Sequence, residues 1–175
     1  HNLTPGDVVK GDGYSVECFK VNHTVPSLGY AFQEDPRPGR FDPERAKALG
    51  VKEGPSFSRL VEGRPVKVGN STVTPDMVMG PARKGLRLVY SGDTAPCPEL
   101  ASACEGADVL VHEATVASDL QDKAREFGHS TARDAAELAR DSRVGSLYLV
   151  HISGRYEEAD ALLEDARGIF ENTTI

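Results

Sequence analysis

Several apolar runs in this sequence end on residues that bind metals or move protons. "LRLVYSGDT" (86–94) closes on Asp93, "ADVLVHEAT" (107–115) on His112 and Glu113, and "SLYLVHISGRY" (146–156) on His151 after its greasy stretch. A further run, "GYSVECFKVNH" (13–23), leads to His23. Neutral imidazole and carboxylate are ordinary ligands of zinc and similar divalent ions, and a carboxylate with two oxygens can bridge two of them. His23, Asp93 and His151 are therefore candidate metal ligands. Taken singly, such a histidine is more often a surface or hydrogen-bonded core residue, and an Asp in Ser-Gly-Asp-Thr is often a turn former. The spacing is too wide for a local motif, so a shared site depends on the fold.

His129 precedes Ser130-Thr131 at a helix entrance, where free backbone N–H groups favour an anion. Ser130 or Thr131 capping the helix accounts for part of this pattern. Capping does not require His129, which makes it a candidate proton donor near a phosphate. Ser153 and Arg155 form a second candidate phosphate clamp at the start of the last helix, with surface solvation the equal alternative. Glu157 and Glu158 read as compensation of that helix's dipole in its first turn.

The elements that must position these groups can be read from periodicity. Val16, Cys18, Phe19 and Val21 fit a half-buried strand, followed by a second at 28–32. The stretch from 34 to 68 is rich in Pro, Gly and charge and predicts an excursion without its own core. Within it, Asp42-Pro43-Glu44 opens a short helix that Gly50 closes. From Leu86 strands alternate with helices, which implies an α/β layered body whose ligands lie beyond the carboxyl ends of the strands. Thr131 and Asp134 have capping-box spacing, with Ala135, Ala136, Leu138 and Ala139 facing inward and Gly145 stopping the helix. Ala159, Leu162, Leu163, Ala166, Ile169 and Phe170 form the buried stripe of the last helix.

The chain has 175 residues and a net charge of −7, about one domain's length and no general polyanion binder, though a local basic patch is compatible with it. No apolar run approaches the roughly 18 residues a membrane span needs. Three cysteines, Cys18, Cys97 and Cys104, show no CxxC spacing and read as reduced thiols of the cytosol. Both ends are expected to be internal to a longer protein.

Together, "NHTVPSLGY", "LGVKEGP", "VMGPARKGLRLVYSGDT", "ADVLVHEAT", "FGHST" and "LVHISGRY" resemble, in order, the motifs of the ribonuclease Z family of tRNA 3′-processing endonucleases. The resemblance implies part of a metallo-β-lactamase-like αββα sandwich over 1–175, lacking its N-terminal portion, with 34–68 an inserted exosite arm marked by Gly54 and Pro55. It implies two zinc ions per complete subunit. His23 would bind the first, Asp93 would bridge, His151 would bind the second, and His129 would protonate the leaving 3′-oxygen. His112, Glu113, Ser130 and Thr131 fall in the loops beside the scissile phosphate. Precursor tRNA is the implied partner, with a cytoplasmic homodimer and no membrane. The family's His-x-His-x-Asp-His cluster has no match in this chain, nor does its final Ala-x-Asp strand. The chain alone is therefore expected to be inactive. The rivals are another phosphodiesterase or arylsulfatase-like hydrolase of the same fold, and a non-catalytic tRNA-binding remnant.

Overall fold

The computed structural model describes residues 2–175. In chain order it begins with strands β1 (Val8–Gly11), β2 (Tyr14–Lys20) and β3 (Leu28–Glu34). Helices α1 (Pro43–Ala48) and α2 (Pro55–Val61) and strands β4 (Val66–Val68) and β5 (Ser71–Val73) come next. Then follow β6 (Arg87–Tyr90), α3 (Pro98–Cys104), β7 (Val109–Glu113) and α4 (Gln121–Glu126). The last are α5 (Ala132–Asp141), β8 (Ser146–Val150), α6 (Asp160–Arg167) and β9 (Thr173–Thr174). Two compact units result, His1–Asp35 with Leu86–Ile175, and Pro36–Gly85.

The larger unit is built on a seven-stranded sheet of order β1-β2-β3-β6-β7-β8-β9. Pairing is antiparallel from β1 to β6 and parallel from β6 to β9. The change follows from connectivity, because parallel neighbours need a crossover and helices supply it here. Alternation along the strands assigns the faces. Val89, Leu110, Leu147 and Leu149 are buried in one core with Leu100 of α3, Ala135, Ala136 and Ala139 of α5, and Leu162 of α6. The small side chains of α5 bring its backbone close to the strands. On the opposite face, register aligns Tyr30, Tyr90, Val111 and Tyr148 in one row. Tyr90 and Tyr148 are 40% and 44% exposed there. An apolar face of this kind is what half of a two-sheet sandwich presents.

The smaller unit pairs β4 with β5 and packs Ala46, Val51, Leu60, Val73 and Val78 into a core of its own. Asp42 caps α1 by accepting from the Arg45 backbone N–H at 2.9 Å, and Gly54, at φ 109°, leads into Pro55 at the start of α2. The sequence reading closes the excursion at Val68 and denies it a core. The structure carries it to Gly85, and Val73 and Val78, beyond the predicted end, complete the apolar cluster. With the wider boundary the unit holds ten Lys and Arg against five Asp and Glu, a net charge of +5.

Two local expectations also change. Helix α5 ends at Asp141, and Arg143, at φ 55°, takes the left-handed position expected of Gly145. Gly145 serves a different need, since a Cβ there would stand 2.6 Å from the Asp108 carbonyl oxygen. Helix α6 starts at Asp160, so Glu157 and Glu158 precede it and Asp160 is the first-turn acid.

Candidate active site

Parallel neighbours β6, β7 and β8 place the residues at their carboxyl ends side by side. Glu113 is the last residue of β7, opposite Val150 of β8, and His151 follows at once. His151 has φ 58°, a left-handed conformation uncommon outside glycine and often found where function imposes it. That turn, with Ala114 N–H bonded to the Val150 carbonyl at 2.9 Å, bends the chain away from the sheet and leaves the imidazole at its edge. Asp93 lies in the loop after β6. His23 arrives from the β2–β3 connection, which is tied to the same region by Ala95 N–H donating to the Asn22 carbonyl at 2.8 Å.

His129 is positioned by a helix exit as much as by a helix entrance. Gly128, at φ 75°, follows α4, and its N–H donates to the Arg125 carbonyl at 3.2 Å while His129 N–H donates to Ala124 at 2.8 Å. This crossed pair is the Schellman ending of a helix. A Cβ on Gly128 would come within 2.9 Å of His23 Nδ1, so only glycine allows the two histidine loops to meet. The ring centroids of His23 and His129 are 4.8 Å apart, and those of His129 and His151 5.3 Å. Arg125 adds a brace. Its Nη1 donates to the His129 carbonyl at 3.2 Å, and its guanidinium grips Asp134 at 2.9 and 2.6 Å. Burial alone would raise the Asp134 pKa, but the bonds from Arg125 and Thr131 outweigh it and hold the carboxyl below its ordinary range.

Glu113, with a side chain only 1% exposed, is the hub of the site. Its Oε1 accepts from Thr94 N–H at 3.0 Å and pairs with His129 Nδ1 at 2.8 Å. Its Oε2 accepts from the Thr115 N–H at 3.1 Å and hydroxyl at 2.8 Å. Ligand atoms of Glu113, His129 and His151 lie within 4.8 Å of one another, a spacing compatible with a shared metal. The bonding favours a different division. A carboxylate offers about four acceptor positions, and all of those on Glu113 are engaged. His23 and Asp93 keep theirs. His23 Nδ1 meets the Gly128 carbonyl at 2.9 Å, so this nitrogen must donate and Nε2 keeps its lone pair. Asp93 Oδ2 stands 3.7 Å from His151 Nε2, too far for a hydrogen bond. Donor atoms are thus left open on His23 and Asp93, while the acceptor positions of Glu113 are engaged.

The remaining predicted residues separate into those at the site and those elsewhere. His112 is 1% exposed, bonds through Nδ1 to the Glu113 carbonyl oxygen at 2.6 Å, and lines a pocket with Cys97, Ala101 and Leu138. Strand alternation sends it to the face opposite Glu113, so the expectation of a phosphate contact fails. Burial pushes its pKa down. Ser130 is fully buried and donates to the Thr94 carbonyl at 2.7 Å. Thr131 is 1% exposed and caps α5, with Asp134 returning the bond in a capping box. Both hydroxyls are engaged in these structural bonds, whereas the sequence reading places them beside the phosphate. Ser153 and Arg155 bond to each other at 3.1 Å in a loop well before α6, not at its start. Arg155 nevertheless joins Lys123, Phe127, His129 and His23 around a cavity of about 340 Å³. Gly54 and Pro55 belong to the smaller unit, described above. Thr94, Thr115 and Arg125 escaped the sequence reading, although Thr115 sits two residues past Glu113 on the same loop.

Comparison with known proteins follows the same lines. The sequence profile of the beta-lactamase superfamily domain matches residues 61–152. Ribonuclease Z of Methanosarcina acetivorans is 47% identical over 174 residues, covering 99% of this chain and 57% of that protein. Ribonuclease Z of Myxococcus xanthus is 49% identical over 169 residues, 95% of this chain and 55% of that one. The crystal structure of human tRNase Z, short form, superposes with a TM-score of 0.52 at 25% identity, covering 86% of this chain and 40% of that chain. A metallo-beta-lactamase fold protein from Bacillus subtilis superposes with a TM-score of 0.61 at 16% identity over 98% of this chain and 50% of its own, a likeness of fold. The chain spans a little over half the length of the curated relatives it matches.

Proposed function

The chain belongs to the beta-lactamase superfamily, and from that premise we propose that the complete protein is a zinc-dependent endoribonuclease that removes 3′ trailers from precursor tRNA. The observation that carries this reading is the pairing of His129 with buried Glu113 beside the donor set of His23, Asp93 and His151. Two zinc ions, held in part by that set, would polarise the phosphodiester and supply hydroxide. His129, its ring oriented by the bond from Nδ1 to Glu113, turns Nε2 toward the leaving 3′-oxygen as the proton donor of the reaction. Arg155 and Lys123 offer phosphate contacts around the cavity, and Phe127, 51% exposed on its wall, offers a face for base stacking. The smaller unit, including Gly54 and Pro55, is the exosite arm that grips the body of the tRNA, and its net charge of +5 supports the role.

The proposal extends to a homodimer in the cytoplasm for the complete protein, on the family resemblance of its motifs. No helix is long and apolar enough to cross a membrane. Three ligands shared between two metals leave the 175-residue chain itself inactive.

The test is cleavage of a precursor tRNA carrying a 3′ trailer by the full-length protein, with product ends mapped. Cutting after the discriminator nucleotide, lost with chelator and restored by zinc, is the expected result. Hydrolysis of a small phosphodiester without tRNA cleavage would transfer the protein to another branch of the fold. Tight tRNA binding without stoichiometric zinc would make it a binding protein.

A further inference from the structure

Thr115 stands between two groups of the site and touches both. Its hydroxyl donates to Glu113 Oε2 at 2.8 Å and meets His151 Nδ1 at 2.9 Å. A hydroxyl carries one proton. With that proton committed to the carboxylate, the oxygen can only accept from the imidazole. His151 then carries its hydrogen on Nδ1, and in the neutral ring Nε2 is left with a lone pair. Nε2 faces Asp93 Oδ2 at 3.7 Å. On the other side of the hub, Glu113 Oε1 holds His129 by Nδ1 at 2.8 Å. One buried carboxylate thus orients two imidazoles, the first directly and the second through a threonine.

We propose that Thr115 is a positioning residue: it relays the hydrogen-bond direction set by Glu113 to His151, fixing the Nδ1–H tautomer so that Nε2 is presented unprotonated beside Asp93. This rests on the reading of His151 as a metal ligand only for its consequence in metal binding. The tautomer stands apart from it. The Thr115 backbone is itself anchored. Its N–H serves Glu113 Oε2 at 3.1 Å and its carbonyl accepts the Ser153 N–H at 3.0 Å, so the backbone that carries the hydroxyl is held on both sides.

The experiment compares the wild-type protein with Thr115→Ser and Thr115→Val in the metal-free state, reading the His151 ring by long-range proton–nitrogen correlation. Wild type and T115S should show an unprotonated Nε2 and a protonated Nδ1. T115V, nearly isosteric, should shift His151 toward the Nε2–H form. Zinc affinity of the full-length protein, measured by chelator competition, should fall roughly 10- to 100-fold in T115V and be largely restored in T115S. An Nε2–H tautomer in the wild type overturns the relay, as does a T115V ring identical to wild type. If the expected tautomers are seen but no variant takes up zinc, the relay holds and the metal assignment of the proposed function fails.

Discussion

The two units of the molecule differ in charge and in what their polar side chains do. Pro36–Gly85 carries a net charge of +5. Subtracting that from the −7 of the whole chain leaves −12 for the unit with Asp93, Glu113 and the site histidines. In the acidic unit, polar groups are buried and bonded to one another, as around Glu113 and Asp134. In the basic unit they lie on the surface, as with Lys47 between Glu44 and Glu53. The difference has a physical consequence. A unit at −12 repels a polyanion at long range, whereas a unit at +5 attracts one, so under the proposed function the smaller unit would recruit the RNA and the larger would act on it. On the proposed function, binding and chemistry would be separated along the chain.

Glu113→Ala should produce the largest effect. It leaves two backbone N–H groups, a hydroxyl and His129 without their acceptor in a buried site. Unfolding by urea should show a loss of about 3 kcal/mol or more, since each orphaned buried group costs about 1–3 kcal/mol. Cleavage by the full-length protein should fall by about 10²–10⁴-fold from the proton donor alone. No single polar substitution in Pro36–Gly85 should approach this. If one does, chemistry and binding are not separated as described.

Excising the basic unit tests the other half. Its boundaries are close in space, because Glu34 N–H donates to the Leu86 carbonyl at 2.9 Å and Gln33 pairs with Arg87 across β3 and β6. A short glycine turn can therefore replace residues 36–85. The shortened full-length protein should cleave a small phosphodiester at an unchanged rate. It should lose about 100-fold in kcat/KM on precursor tRNA, through KM, and its salt dependence should flatten as phosphate contacts disappear. Equal losses on both substrates would show that the basic unit supports the site itself.

How much of this could be read from the sequence depends on the range of the interactions. The strands leading to His23, Asp93 and His151 were legible because alternation and apolar runs are local. So was the Thr131–Asp134 capping box, whose spacing is fixed by one helical turn. The Glu113 network was not, since Thr94 N–H and His129 reach it from other loops. The sequence reading assigns His112 and Glu113 together to the loop beside the scissile phosphate, but strand alternation puts them on opposite faces, and the carboxylate of Glu113 is taken up by its neighbours. The +5 of the smaller unit stayed hidden for a similar reason. Its boundary depends on Val73 and Val78 closing a core with residues some thirty positions earlier, and a count that stops at Val68 finds nearly balanced charge.

Smaller effects should distinguish the helix caps of the two units. Thr131→Ala removes a buried cap that is also bonded to Asp134, whereas Asp42→Ala removes an exposed one. Loss of a cap costs about 0.5–2 kcal/mol, and Thr131→Ala should lie at the upper end and Asp42→Ala at the lower. Their urea midpoints, measured in the same buffer, give the order directly. The reverse order would mean that the acidic unit's polar network contributes less rigidity than its burial implies.

The smallest effect is one of pH, and it too belongs to one unit, because no histidine lies in residues 36–85. Burial pushes the His112 pKa below its ordinary 6.5, so the folded protein holds the ring neutral while the unfolded chain takes up a proton. The stability this contributes is fully present above pH 6.5 and is lost as pH falls toward the depressed folded value. Asp134 of α5, on the same side of the sheet, moderates the shift without reversing it. Between pH 7.5 and 5.5 the wild type should lose about 1 kcal/mol more stability than His112→Asn, whose amide can still donate to the Glu113 carbonyl oxygen but does not titrate. Urea titrations of the two proteins across that range measure the difference. If the two curves run parallel, the buried imidazole is not the group through which the acidic unit responds to pH.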